Sequence, residues 1–313
     1  MRTRRFLALA GAASCALAIT AAPAVAAPPV ARAGATTPMP AATSPEQVVE
    51  RLASALANGQ LQHAWDCLPT SWQRDATSLV HEFGAKVDPD VWNRSFGLLR
   101  KGAFLMREQK DLILSMPNLR NDPRFNHAEA SEAWDRVANL LDAIATSDLA
   151  DTGSLRRLDI RAFLASSGGD FVTELRALGD IMPDMDTSAF DAFTNATATL
   201  VSQDGDTAVI SVQVPGEGAH DVAMVRIEGK WLPADFASGW PGQMAEAHAA
   251  LDQMTGDEFQ QIKPQVMQLF AGLEMTLDQL ALAETHEQFE QTAQMGVMQI
   301  FGAAMAVSAA QDR

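Results

Sequence analysis

The chain has 313 residues, with 39 acidic against 23 basic side chains, a net charge of −16, no tyrosine and two cysteines. That balance excludes the phosphate-neutralising surface that nucleic-acid binding requires, and no local basic face offsets it for adsorption to an anionic membrane. One cysteine lies in the leader described next, so an intrachain disulfide in the mature chain is excluded too.

Arg2, Arg4 and Arg5 precede a run of small apolar residues over 6–22, and Ala24, Val25 and Ala26 form a small-x-small cleavage pattern. These parts, in this order, read as a secretory signal peptide over residues 1–26, and the expected location is periplasmic or extracellular. Without those three arginines the mature chain keeps 20 basic and 39 acidic residues, a net charge of −19. Cys15 has Ala12 three positions ahead, where a lipid-attachment site usually carries Leu, so lipidation is not expected. Residues 27–43, rich in Ala, Pro and Thr, read as a disordered leader, and residues 44–313 as the globular region.

Helical periodicity covers residues 44–195. Ser44, Pro45 and Gln47 predict a capped helix start, with Val48, Val49, Leu52 and Leu56 as the apolar stripe and Asn58-Gly59 as the stop. A short helix over 61–68 ends at Pro69. Asp88-Pro89 opens a long helix in which Gly97 and Gly102 predict close packing against a neighbour. Residues 116–124 read as a loop. Asn126 with Glu129 caps a further helix striped by Trp134, Val137, Leu141 and Ile144. Shorter helices are predicted over 154–165, 169–180 and 187–194, with Ser166-Ser167-Gly168-Gly169 as a loop between helices.

The period changes near residue 197. Residues 197–203 and 207–214 are rich in β-branched side chains and flank Asp204-Gly205, a hairpin signal. In the second of them Ala208, Ile210, Val212 and Val214 share one face, which predicts a strand buried on one side. Residues 221–228 form a third strand, and Gly229-Lys230 turns the chain into Trp231-Leu232. Gly239-Trp240-Pro241-Gly242 reads as a turn. A helix over 241–254 follows, then one capped by Thr255 and Glu258 that kinks or restarts near Pro264, then one capped by Thr285 and Gln288. The expected fold class is α+β, predominantly helical, with an antiparallel meander of three or four strands over 197–233 packed on helices.

Pro45-Glu46-Gln47-Val48-Val49, then 55–61 and Ala64-Trp65, resemble the opening of NTF2-like (cystatin-like) domains. The segment Val225 to Trp231, with Gly229 at its turn, is similar to that family's closing hairpin. The resemblance implies a curved antiparallel sheet around a pocket that serves ligand binding, catalysis or assembly. It also implies a large helical insertion and a helical C-terminal extension here, and it carries over no catalytic residue.

The chemistry-bearing patterns are sparse. His81-Glu82 and His286-Glu287 begin like a zinc HExxH motif, but Ala85 and Glu290 stand where the second His is needed, so neither a metal nor a cofactor is expected. Asp184-Met185-Asp186 opens like a calcium loop, yet Ala189 and Asn195 replace its Gly and Glu, and helix capping accounts for the acids. Cys67 sits among apolar neighbours and reads as a core thiol. Residues 295–310 contain Gln299 as their one strongly polar residue; sixteen residues rise only about 24 Å, short of the roughly 30 Å a membrane span needs. That segment reads as a buried helix first and a Met-rich partner surface second. The function this supports is an exported, non-enzymatic binding or interaction module for an apolar ligand or a protein partner. Trp65, Trp72, Trp231 and Trp240 are the candidate ligand-binding residues, and core packing is the alternative for each. The competing readings are a hydrolase-like enzyme using His63, Asp66 and His81, or a structural assembly component.

Overall fold

In the computed structural model, which describes residues 44–121, 126–181, 193–216, 218–253 and 257–311, Pro45 sets the helical φ at the start of α1 (Pro45–Ala57). Gly59, at φ +64°, takes the chain out of it in the left-handed conformation that side chains resist. Ser44 occupies the N-cap in extended geometry, but its hydroxyl is buried without a hydrogen bond, so its half of the expected capping box is not made. The expected signal peptide, Cys15, the Ala/Pro/Thr leader, the helix start at 187–192, the acids 184 and 186 and the Thr255 cap lie outside the described residues.

The helical body continues as α2 (Leu61–Asp66), α3 (Thr70–Lys86), α4 (Pro89–Glu108), α5 (Lys110–Leu114), α6 (Pro117–Arg120) and α7 (His127–Ala145). Asp88 and Asn126 cap as expected: Asp88 accepts from the backbone N–H of Asp90 and Val91, and Asn126 from that of Ala128. Then come α8 (Thr152–Leu155), α9 (Ile160–Phe163), a π turn over Leu164–Gly168 and α10 (Gly169–Ile181). The segment 166–169, read as a loop, is thus wound into helix. A Cβ on Gly169 would stand 2.5 Å from the Gly59 carbonyl oxygen, so the turn that ends α1 crosses here backbone to backbone. Gly97 and Gly102 are not the close-packing positions expected of them, since no atom lies within 4 Å of where their Cβ would be. That role falls to Gly84 on α3, where a Cβ would meet Leu155 Cβ at 2.8 Å and Arg156 N at 2.9 Å. Glycine spacing alone does not reveal which helix face a later segment crosses.

The sheet is an antiparallel meander, β1 (Thr197–Asp204), β2 (Thr207–Val214), β3 (Gly218–Ile227) and β4 (Lys230–Pro233), in that spatial order. Asp204 pairs with Thr207, so the two turn residues are Gly205 and Asp206, one step later than the motif suggests. Glu228 and Gly229 close the last hairpin, both at positive φ, as a tight two-residue turn matched to strand twist requires. Ala208, Ile210, Val212 and Val214 are all buried on one face, as their alternation predicts. They pack with Ala198, Met224 and Trp231 against Val48 and Val49 of α1.

Three helices close the fold: α11 (Ala234–Gln253), α12 (Asp257–Ala281) and α13 (His286–Gln311). The turn expected at 239–242 is instead inside α11, which begins directly after β4 and runs through Pro241. Interior Pro costs a helix about 3 kcal/mol, and the packing of Trp240 described below is what holds it. Likewise α12 runs on through Pro264. The Thr285 cap forms, its hydroxyl accepting from Gln288 N–H while the Gln288 side chain accepts from Glu284 N–H.

The α12–α13 hairpin docks on α4 through Arg94 to Glu274, at 3.0 and 2.7 Å, Lys101 to Asp278, and Lys263 to Asp88 and Asp90. The buried Gln109 amide donates to the carbonyls of Ala281 at 2.8 Å and Ala283 at 3.3 Å, pinning the connection between the two helices. Among the described residues no helix is long and apolar enough to cross a membrane. The predominantly helical α+β class is therefore the observed one.

Gln109→Leu should leave both carbonyls without their donor and destabilise the protein by about 1–3 kcal/mol. Hydrogen exchange should rise first along α13; unchanged exchange there would show that Gln109 does not anchor the hairpin.

Candidate functional site

The candidate tryptophans fall into two interior clusters. Trp72 of α3 and Trp240 of α11 stack face to face, with ring centroids 4.5 Å apart and planes 3° from parallel. Phe236 meets both edge-on, at 5.3 Å from Trp72 and 5.9 Å from Trp240. Trp65 of α2, Leu158, Ile160 and Leu232 complete this buried group. Trp231 lies in the other cluster, against the sheet and α1, with the Arg226 guanidinium 5.4 Å from its ring centroid. The structure therefore brings Trp65, Trp72 and Trp240 together and sets Trp231 apart; all four are buried.

Their polar atoms differ. Trp240 Nε1–H donates to Asp75 at 3.3 Å, whereas Trp231 Nε1 is buried without a hydrogen-bond partner among the described residues. A buried donor left unmatched costs on the order of 1–3 kcal/mol, so Trp231 is kept for its ring rather than its N–H.

The acid–base candidates are held in place by structural contacts. Asp66, at the end of α2, receives a two-pronged bond from Arg161 at 2.7 and 2.9 Å, and its backbone carbonyl accepts from Lys230 Nζ at 2.7 Å. This ties α2 to α9 and β4. His81 Nε2 lies 3.0 Å from the Leu158 carbonyl oxygen; a carbonyl can only accept, so that nitrogen carries the proton. His63 is half-buried on α2. The Cys67 thiol is pushed up from its ordinary value, first by burial, which keeps it a thiol rather than a nucleophilic thiolate. Among the described residues, no three His, Cys, Asp or Glu side chains converge as metal ligands would.

Two further features lie outside the candidate residues. One is an ionic group between α3 and α11: Lys86 to Glu82 at 2.7 Å and to Asp252, with His248 Nδ1 2.7 Å from Glu82. The bond from Lys86 holds the Glu82 carboxyl below its ordinary value; desolvation opposes it, and a lesser bond from His248 adds to the lowering. The other feature is apolar and exposed. On α13, Met295, Val297 and Met298 are 48%, 65% and 75% exposed, and Met275 on α12 is 58% exposed. Sequence apolarity marked this segment, but placed it in the core before a partner surface.

Trp231→Phe should alter stability by less than about 1 kcal/mol, because it keeps most of the packed ring and removes the unmatched donor, while Trp231→Ala should cost about 3–5 kcal/mol. Urea denaturation of the pair checks this; equal losses would mean that the indole N–H has a partner. A lowered carboxyl pKa contributes stability that is complete above the ordinary carboxyl range and lost as pH falls through the lowered value. The gap in melting temperature between wild type and Glu82→Gln should therefore be widest near neutrality and close on acidification, and a gap that persists in acid would assign it to packing instead.

Comparison with protein-family models, with curated proteins and with solved structures gives no match to this chain.

Proposed function

We propose that the protein is an exported, non-enzymatic interaction module that binds a protein partner through its C-terminal helical hairpin. The observation that carries this reading is the exposure of Met295, Val297 and Met298 on α13, a helix whose Gly296 faces Thr276 of α12. Large apolar side chains grouped on a surface mark interaction sites more often than they mark solvent-facing structure. The interior supports the same reading from the other side, because the four candidate tryptophans spend their ring surfaces on packing. A hydrolase-like site has less support, since Asp66 is committed to Arg161. Export rests on the leader of residues 1–26. A partial NTF2-like relationship is part of the proposal, supported by the packing of Val48, Val49 and Leu52 of α1 on the inner face of the meander.

The test is native mass spectrometry of the protein isolated gently from the envelope fraction that produces it. A stoichiometric protein complex is the expected result. A lone chain carrying a small apolar molecule would move the function to ligand binding, and a bare lone chain would overturn the reading.

A further inference from the structure

We infer that Met275, Met295 and Met298 form a reversible oxidation site: hydrogen peroxide converts their thioethers to sulfoxides, which turns this surface polar and releases the partner bound to it. This rests on the interaction-module reading above and adds its regulation. α12 ends at Ala281 and α13 starts at His286, a short connection that sets the two helices antiparallel. Gly296 of α13 stands against Thr276 of α12, whose Cγ2 fills the place of the absent Cβ. Successive residues of a helix turn by about 100°, and in an antiparallel pair the residues just before such a contact fall on the same side of both helices. Met275 and Met295 are those two residues, so they flank the crossing together. Met298 lies about 200° round α13 from the contact, nearly opposite α12. Met275, Met295 and Met298 are 58%, 48% and 75% exposed.

The chemistry needs an exposed thioether and a peroxide. The sulfur lone pair takes one oxygen of hydrogen peroxide as the O–O bond breaks, and the other oxygen leaves as water with both protons. Sulfur has then lost two electrons and the peroxide has gained them. Return takes two electrons from a dithiol, through a sulfoxide reductase, with the added oxygen released as water. A thiolate would ordinarily react first, but Cys67 is the one cysteine after residue 15, and burial keeps it a thiol. The methionines themselves sort by their place in the fold. Met116 and Met224 are buried, out of reach of a dissolved oxidant while the fold holds, and the three on the hairpin are open to it.

What the oxidation does to the surface follows from the group it creates. A thioether is apolar and flexible, whereas a sulfoxide is polar and carries an oxygen that accepts hydrogen bonds. Covering that oxygen with an apolar partner surface strips its water and returns no donor, which is unfavourable. The interior is left alone, since none of the three side chains belongs to the buried clusters. Leu matches Met in volume and apolarity and carries no sulfur, so Met→Leu separates oxidation from packing.

The experiment has two readouts on the full chain. The first is peptide mapping by mass spectrometry through a hydrogen peroxide series, with far-UV circular dichroism unchanged. Met298, Met275 and Met295 should each gain an oxygen before Met116 or Met224 does; reaction of Met116 or Met224 as fast as these three overturns the site. For the second, chain treated with peroxide and then freed of it is returned to the envelope fraction that produces it, and its complex is read by native mass spectrometry. Untreated chain should form the complex, and oxidised chain at least about tenfold less of it. The variant combining Met275→Leu, Met295→Leu and Met298→Leu, treated in the same way, should form as much as the untreated chain. A complex formed equally well by chain carrying all three sulfoxides overturns the switch and leaves the interaction reading standing, as does an equal loss in the Leu variant. No complex from untreated chain overturns the interaction reading and the release with it, and the peptide map then decides the oxidation site alone.

Discussion

The stack of Trp72 on Trp240 joins two segments of the chain that lie far apart in sequence. It fastens α3, in the helical body, to α11, the first helix after the sheet, and Leu232 of β4 packs in the same group. Interior Pro241 should break α11, at a cost near 3 kcal/mol. An aromatic pair returns only about 0.5–1.5 kcal/mol beyond its buried area, so the stack alone does not offset that loss. Burial of the Trp240 and Phe236 rings supplies the remainder, at roughly 25 cal/mol per Å² removed from water. This cluster acts together with the Lys86 to Asp252 and Glu82 to His248 pairs to hold α11 on α3.

Around that apolar centre, scarce cations act as connectors. Arg161 links α9 to α2, Lys86 links α3 to α11, and Arg94, Lys101 and Lys263 link α4 and its cap to α12. The exposed member of this set, Lys101 to Asp278, is worth about 0–1 kcal/mol and weakens in salt. The C-terminal hairpin is attached by these ties together with the buried Gln109 amide. On α13 of this hairpin Met295, Val297 and Met298 are exposed.

Local chemistry made much of the fold legible. The alternation at 208–214 identified the buried face of β2, Asp88 and Asn126 marked helix starts, and Thr285 with Gln288 formed the cap they spell. Each of these depends on residues within a few positions of one another. The readings that failed depended on distant partners. Gly97 and Gly102 face open space while Gly84 takes the close crossing by α8, and 239–242 is helix because Trp240 has Trp72 to stack on. The candidate tryptophans were recognisable as aromatic anchors, but whether an anchor lines a pocket or fills a core depends on what folds over it.

By itself the sequence determined the acidic character, the order of elements, the strand faces and most caps, because charge, period and capping are properties of neighbouring residues. Tertiary structure alone decided that Asp66 is a tie rather than a free acid, that Trp65, Trp72 and Trp240 share one interior cluster, and that Met298 faces outward on α13. The physical reason is the same for all three. Burial and pairing belong to the contact between segments far apart in the chain, and a side chain carries no record of which distant surface will cover it.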